Sequence, residues 1–181
     1  MLRLFIAISL PTEVKTLLTS LRTTLPGCRW LDQEQMHLTL HFLGDAEEHL
    51  LTGLQAMMAQ LTTPAFFLST GTLGTFPSPR APRVLWLGLS GSEPLRQLHA
   101  ELSAGLVHLG LTVEDRPFHP HLTLARLRET PAAAVAQWLH QAPPAPVSFA
   151  VEQVTLFAST LQPGGAIHKP MAVGTLPPAT A

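Results

Sequence analysis

The sequence predicts an α+β protein built from a duplicated β-α-β-α-β unit, with two lobes that face each other across a cleft. The tetrapeptide His-Leu-Thr-Leu occurs at residues 37–40 and again at 121–124, each time with the period-two alternation of a strand that has one buried face. The order of predicted elements also repeats, with 34 residues from Arg3 to His37 and 38 from Arg83 to His121. A duplicated unit is the economical explanation of both observations.

The first half, approximately residues 1–76, alternates between strand and helix periodicities. Predicted in order are a strand at 3–9, a helix from Thr12 to the Pro26-Gly27 pair, a connection at 29–35, the motif strand at 36–43, a second helix and a strand at 66–76. Thr12 is expected to act as an N-cap, and Gly44 is expected to close the motif strand. Asp45 is expected to cap the next helix, because Glu48 follows at capping-box spacing.

The second half, approximately residues 83–176, follows the same order. Predicted are a strand at 83–90, a helix capped by Ser92 and stopped by Gly110, the second motif strand, a helix from Thr130-Pro131 to about His140, and strands at 147–161 and 167–176. The proline-rich segment 77–82 is expected to be a linker or lobe boundary. A turn at 162–165 joins the last strands, and residues 177–181 are expected to be a disordered tail of a single bilobal domain spanning 1–181.

Composition restricts the class of protein. The 181 residues are 46% hydrophobic and 13% charged, with a formal net charge of −1, so no global basic field recruits long nucleic acid. Cys28 is the only cysteine, which excludes an internal disulfide and a cysteine-based zinc site. The apolar opening is short and no cleavage site follows it, so we expect an N-terminal strand, no membrane span and a cytoplasmic location.

The repeated motif predicts acid–base chemistry. In each strand the histidine and the threonine point the same way, so His37 and His121 should converge with Thr39 and Thr123 on one cleft. Histidine titrates near neutral pH, so one imidazole serves as base while the other serves as acid. In-line displacement at phosphorus needs both, and the threonine hydroxyls would donate to the non-bridging oxygens. This chemistry demands no metal or other cofactor.

Strand parity gives different expectations for two neighbouring residues, Arg126 and His41. Arg126 would add a charge-assisted bond to a phosphate, but it has the opposite strand parity to His121 and Thr123. Either the strand is bulged or ends there, or Arg126 faces away. His41 has the parity of His37 and is therefore expected to be an accessory residue of the site.

Two other classes of function remain open. His119 and His121 form a plausible metal-ligand pair that His37 and His41 would complete, which describes a metal-dependent phosphohydrolase. A module that holds nucleotide phosphates without turnover is the third class. Pro120 and the matching threonines argue against the metal site.

The motifs resemble a known family. The segments at 37–44 (HLTLHFLG) and 117–126 (PFHPHLTLAR), together with the opening at 3–8 (RLFIAI), are similar to those of the two-histidine (2H) phosphoesterases, and within them to the RNA 2′,3′-cyclic phosphodiesterases, also called 2′-5′ RNA ligases. The resemblance covers nearly the whole chain. It implies a bilobal fold with antiparallel sheets lining a central cleft.

The resemblance also implies an activity and a role for each site residue. The reaction is metal-free hydrolysis of an RNA-terminal 2′,3′-cyclic phosphate to a 2′-phosphate, with 2′-5′ ligation when a 5′-hydroxyl replaces water. His37 would be the general acid and His121 the general base, while Thr39, Thr123 and Arg126 would hold the phosphate. Partners are therefore RNA ends or nucleotides with a cyclic phosphate, with no protein partner indicated. The chain lacks the tyrosine that relatives often have near the C-terminus, and His168 stands at about that position as a possible accessory residue.

Overall fold

The computed structural model describes residues 1–141, 144–162 and 165–179. The strands in these ranges are β1 Leu2–Ser9, β2 Cys28–Trp30, β3 His37–Ala46, β4 Phe66–Phe76, β5 Val84–Ser90, β6 His121–Leu127, β7 Ser148–Val151, β8 Gln153–Gln162 and β9 Gly165–Thr175. The helices are α1 Thr12–Ser20, α2 Leu50–Met58, α3 Glu93–His108 and α4 Ala132–Leu139, and a single 3₁₀ turn occupies Gln33–Gln35. The middle of the predicted turn, at 163–164, and the last two tail residues lie outside the described residues.

The strands form two antiparallel sheets, as the family resemblance implies. One sheet has the order β3-β1-β8-β9, and the other has the order β2-β6-β5-β4-β7. Each motif strand pairs with the strand that opens its half, so that His37 lies opposite Ser9 and His121 lies opposite Gly88. The two motif strands, β3 and β6, contact each other where the sheets meet. The predicted juxtaposition of the two motifs is confirmed.

The motif leucines anchor both strands in the core. Leu38 and Leu122 are fully buried, and each motif's second leucine is nearly so. Helix α3 contributes Leu95, Leu98, Leu102 and Leu106, all at 1% exposure or less. Since burial of a leucine side chain stabilises by about 1.5–3 kcal/mol, this packing holds the polar side of each motif strand in a fixed position.

The predicted lobe boundary is wrong. Residues 77–82 form the loop of a hairpin, because β4 and β5 are antiparallel neighbours in one sheet. The halves also exchange strands, since β8 from the second half pairs with β1 from the first. The three prolines of the loop exclude regular structure, but composition does not say whether the flanking strands pair.

Helix α1 is shorter than predicted and begins differently. It ends at Ser20, and Pro11 rather than Thr12 occupies the N-cap position. The Thr19 hydroxyl donates to the carbonyl of Lys15, and the Ser20 hydroxyl donates to the carbonyl of Leu17. Such bonds from side chain to backbone compete with the helix and favour its end. The Ser92 cap position of α3 and the stop near Gly110 are confirmed.

The first motif strand is longer than predicted. Gly44 does not close β3 but lies inside it at a φ of +68°, and Asp45 pairs opposite Arg3 instead of capping a helix. Helix α2 begins at Leu50, with His49 at its N-cap. The chain stays extended because β1 offers backbone partners as far as Leu2.

Two other segments differ from the predictions. The strand predicted at 147–161 is divided at Glu152 into β7 and β8, which pair with β4 and β1 in different sheets. The connection predicted at 29–35 contains strand β2, which pairs with β6. Among the described residues, no helix is long and apolar enough to cross a membrane.

Candidate active site

A cleft of about 610 Å³ lies between the two sheets. It is lined by residues from β1, β2, β3, β6, β8 and β9 and from the 3₁₀ turn. Of the predicted site residues, those lining the cleft are His37, Thr39, Thr123, Arg126 and His168. The tertiary structure therefore collects residues 131 positions apart (37 to 168) at one surface.

A β-bulge determines which residues of β6 reach the cleft. Thr123 pairs opposite Trp86 and Ala125 opposite Leu85, so Leu124 is the extra residue. Leu124 and Ala125 are consequently both buried, and the next residue, Arg126, is exposed on the cleft side. The bulge thus resolves the parity conflict in the sequence, and Arg126 lies on the same side as Thr123.

The first motif strand contains the same bulge at the equivalent position. Thr39 pairs opposite Ala7 and His41 opposite Ile6, so Leu40 is the extra residue. Phe42, the counterpart of Arg126, lines the cleft and is 60% exposed. Sequence reasoning missed Phe42 because it assumed an unbroken period of two.

His41 is not part of the cleft lining, contrary to the prediction. The bulge turns it to the opposite side of β3, where it is 7% exposed. Its Nε2 lies 3.1 Å from the carbonyl oxygen of His99 and 3.2 Å from the hydroxyl of Ser103. Its ring stacks on the His99 ring at 4.1 Å, and His99 stacks on Phe118 at 4.1 Å. His41 therefore belongs to a packed cluster between β3 and α3.

Both motif histidines bond to the backbone two residues earlier. Nδ1 of His121 lies 2.6 Å from the carbonyl oxygen of His119, and His37 makes a hydrogen bond to the backbone of Gln35. Because a carbonyl only accepts, the proton of neutral His121 resides on Nδ1, which leaves Nε2 as the proton acceptor. This is the tautomer that a general base requires.

His121 lies at the margin of the cleft. Its ring packs edge-on against Phe76 at 4.9 Å and lies 6.3 Å from the Trp86 ring. In the part of the chain that the structure describes, the residues lining the cleft include Thr123, its neighbour on the same face of β6, but not His121 itself. The aromatic contacts restrain the imidazole beside Thr123.

Burial lowers the pKa of both motif histidines. Desolvation is the main cause that brings the pKa of His37 from 6.5 to about 4, and the neighbouring His168 adds to this effect. The pKa of His121 is also lowered, mainly by burial, although its hydrogen bond to the His119 backbone opposes the shift. Both imidazoles are therefore neutral near pH 7 until an anionic group approaches.

His168 lies next to the first motif histidine. Its ring is edge-on to the His37 ring at 5.3 Å and to the Phe5 ring at 4.8 Å. Its Nδ1 is buried without a hydrogen-bond partner among the described residues. His168 is thus a titratable ring that acts on the pKa of His37.

Ser159 and Gln162 of β8 are two of the five polar residues that line the cleft and were not predicted. Arg3 at the start of β1, Arg29 in β2 and Gln35 in the 3₁₀ turn all line it. A charged residue, Arg3, within the apolar opening strand was a signal for a cleft residue in the sequence. Nothing in the sequence places Arg29 opposite the second motif.

The alternative metal site is not assembled. His41 faces the core cluster, and Nδ1 of His121 is engaged by a backbone carbonyl. Across residues 1–141, 144–162 and 165–179, no group of three or more His, Cys, Asp and Glu side chains lies in a metal-binding arrangement.

Comparison with known proteins identifies the family. The model of the 2′-5′ RNA ligase superfamily matches residues 10–162. The chain belongs to this superfamily. Its membership of the 2H phosphoesterases, predicted from the motifs, is confirmed.

Individual members of the superfamily resemble the chain over most of its length. The RNA 2′,3′-cyclic phosphodiesterase of Thermotoga maritima is 32% identical over 177 residues, which cover 93% of this chain and 92% of the relative. That of Escherichia coli K12 is 32% identical over 175 residues, with 93% of each chain covered. The crystal structure of E. coli LigT complexed with 3′-AMP superposes with a TM-score of 0.78 at 30% identity, covering 97% of this chain and 98% of LigT.

Proposed function

We propose that this protein hydrolyses RNA-terminal 2′,3′-cyclic phosphates to 2′-phosphates without a metal ion. The observation that carries the proposal is the pair of motif strands with a bulge at the second leucine, which present threonines and Arg126 to one cleft beside two backbone-anchored histidines. The similarity to RNA 2′,3′-cyclic phosphodiesterases supports the choice of substrate.

The reaction forms one P–O bond and breaks another. Nε2 of His121 takes a proton from water as the water oxygen attacks phosphorus. The bond from phosphorus to the 3′ oxygen breaks, and His37 delivers a proton to that oxygen. The products are a 2′-phosphate and a free 3′-hydroxyl. A 5′-hydroxyl in place of water would give a 2′-5′ linkage by the same steps.

The other cleft residues stabilise the charge that accumulates on phosphorus. Thr39 and Thr123 donate hydrogen bonds to the non-bridging oxygens, and Arg126 adds a charge-assisted bond. The negative charge of the substrate raises the lowered pKa of His37, because an opposite charge favours the imidazolium form. Substrate binding therefore promotes protonation of the group that must act as acid.

We also propose that the protein acts in the cytoplasm. The lone Cys28 offers no internal disulfide, which suits a reducing compartment.

The test is hydrolysis of an oligonucleotide ending in a 2′,3′-cyclic phosphate, with and without EDTA. His37→Ala and His121→Ala should each lower the rate by about 10²–10⁴-fold. His49→Ala is the matched control, because that histidine is 70% exposed and pairs with Glu47. A 2′-phosphate product that EDTA does not affect supports the proposal. If EDTA abolished the activity of the wild type and zinc restored it, the protein would be a metal enzyme. Absence of turnover by the wild type would indicate a binding module.

A further inference from the structure

The cleft carries more positive charge than one phosphate requires. Arg3, Arg29 and Arg126 all line it, whereas none of the described lining residues is an aspartate or glutamate. The whole chain, by contrast, has 12 acidic against 11 basic residues. Low-dielectric walls lined by one sign of charge attract ligands of the opposite sign.

Two of these arginines face each other directly. Arg29 in β2 and Arg126 in β6 are register partners across the antiparallel pair. Side chains that are directly opposed have Cβ atoms about 4.5–5.5 Å apart, and like charges in this arrangement are destabilising. An anionic ligand that contacts both strands would receive charge-assisted hydrogen bonds from both guanidinium groups.

The guanidinium of Arg29 lies on the same side of the cleft as His37. A side chain at Gly165 would come within 3.3 Å of an Arg29 nitrogen and would collide with the Gln35 amide. The Gln35 amide donates to the carbonyl of Ala166, and its backbone bonds His37. Arg29 and Gln35 therefore form a polar surface beside the acid–base site, and the backbone of Gly165 approaches this surface closely.

We propose that Arg29, with Arg3 and Gln35, forms a second phosphate subsite that binds the phosphodiester on the 5′ side of the terminal nucleotide. The proposal rests on the proposed function and deepens it, because it makes an RNA end of at least two nucleotides the preferred substrate over a cyclic mononucleotide. A guanidinium suits this group, since it donates two parallel bonds to phosphate oxygens.

The test compares three substrates that end in the same 2′,3′-cyclic phosphate. They are a dinucleotide, the same dinucleotide with a neutral methylphosphonate linkage, and a cyclic mononucleotide. Arg29→Gln should lower kcat/KM for the charged dinucleotide by about 10- to 100-fold, as expected for loss of one charge-assisted hydrogen bond. It should leave the other two substrates unchanged, and Arg3→Gln should show the same pattern.

Arg116→Gln is the charge-matched control, because Arg116 is 81% exposed and pairs with Glu114 outside the cleft lining. An equal loss on all three substrates would overturn the subsite and give Arg29 a structural role. No loss on the charged dinucleotide would also overturn it.

A separate outcome concerns the proposed function. If the wild type hydrolyses none of the three, the proposed activity fails, and the subsite is then judged by calorimetric titration with the two dinucleotides. Equal affinities of the charged and neutral forms would overturn the subsite. A second phosphate could belong to an RNA phosphodiester or to a pyrophosphate, and ADP-ribose 1″,2″-cyclic phosphate as a further substrate separates the two. If Arg29→Gln lowered kcat/KM only for this pyrophosphate substrate, the assignment to RNA would be overturned.

Discussion

The two motif strands begin alike and then diverge. Both carry His-Leu-Thr-Leu, pair with the first strand of their half and have a bulge at the second leucine. After the bulge, β6 buries Ala125 and presents Arg126, whereas β3 buries His41 and presents Phe42. The backbone repeats, but the residues that follow the bulge do not.

This difference divides the work between the halves of the site. The histidines and threonines come in pairs, as a reaction with one proton taken and one proton given requires. In the proposed function, β6 contributes the cation Arg126 after its bulge, whereas β3 contributes the aromatic residue Phe42 at the equivalent position. The duplicated scaffold therefore supplies symmetric acid–base groups around an asymmetric binding surface.

The largest expected effect distinguishes the two histidines. A phosphodiester with a nitrophenolate leaving group needs no protonation of that group. His37→Ala should therefore lower the hydrolysis rate of this substrate far less than it lowers the rate on the cyclic phosphate, which should fall by about 10²–10⁴-fold. His121→Ala should lose about 10²–10⁴-fold on both substrates, because water still needs a base. Steady-state rates of the two variants on the two substrates test this. The reverse pattern would exchange the two roles.

The next effect concerns the residues after the bulge. Arg126→Ala should lower kcat/KM by about 10- to 150-fold, corresponding to one hydrogen bond to a charged group of about 1.5–3 kcal/mol. It should also reduce the salt dependence of substrate binding by about one counterion, which Phe42→Ala should leave unchanged. Affinity measured at several salt concentrations checks both. If affinity depended on salt concentration equally in the wild type and in Arg126→Ala, the result would show that Arg126 does not contact the phosphate.

A third prediction concerns the buried residue after each bulge, which is His41 in β3 and Ala125 in β6. His41→Ala gives β3 the residue that β6 has at position 125, and it removes a buried ring that stacks on His99 and lies within hydrogen-bond distance of the Ser103 hydroxyl. The free energy of unfolding should fall by about 1–3 kcal/mol, while kcat/KM stays unchanged. Denaturant titration and steady-state kinetics measure the two quantities, with His140→Ala as an exposed control. A large loss of activity at wild-type stability would return His41 to the site.

The pH dependence follows from the lowered histidine pKa values. The singly protonated pair is the active form, so kcat/KM falls as pH rises above the higher of the two pKa values in the free enzyme. Both lie below 6.5, so the falling limb should also lie below pH 6.5. His168→Gln should move the limb that His37 governs upward, because removal of that ring relieves part of the lowering of the His37 pKa. A limb above pH 7 in the wild type would contradict this.

The last effect is on stability in acid. The pKa of His99 is lowered to about 4 and that of His41 is also lowered, mainly by burial. The unfolded state therefore binds more protons below pH 6.5, so the free energy of unfolding decreases as pH falls from 6.5 toward 4. Each histidine contributes a slope of at most about 1.4 kcal/mol per pH unit. Urea midpoints should show this decrease, and His99→Phe should flatten it.

The sequence by itself determined the local structure and the acid–base chemistry. Alternation of polar residues with leucine predicts the two motif strands, because only one face of each is buried, and Leu38 and Leu122 lie in the core as expected. The repeat predicts that His37 and His121 belong to one site. Their resemblance to known motifs predicts the family, which the comparisons confirm.

Only the tertiary structure decided which residues after each motif face the cleft. A bulge depends on the register of two strands, and register is a property of the pair rather than of either segment. Arg126 therefore lines the cleft and His41 does not because of bulges that neither strand's own sequence predicts. Arg29 joins it through pairing with β6, and His168 through pairing with β8, contacts that span the chain. Local periodicity carries no information about such distant partners.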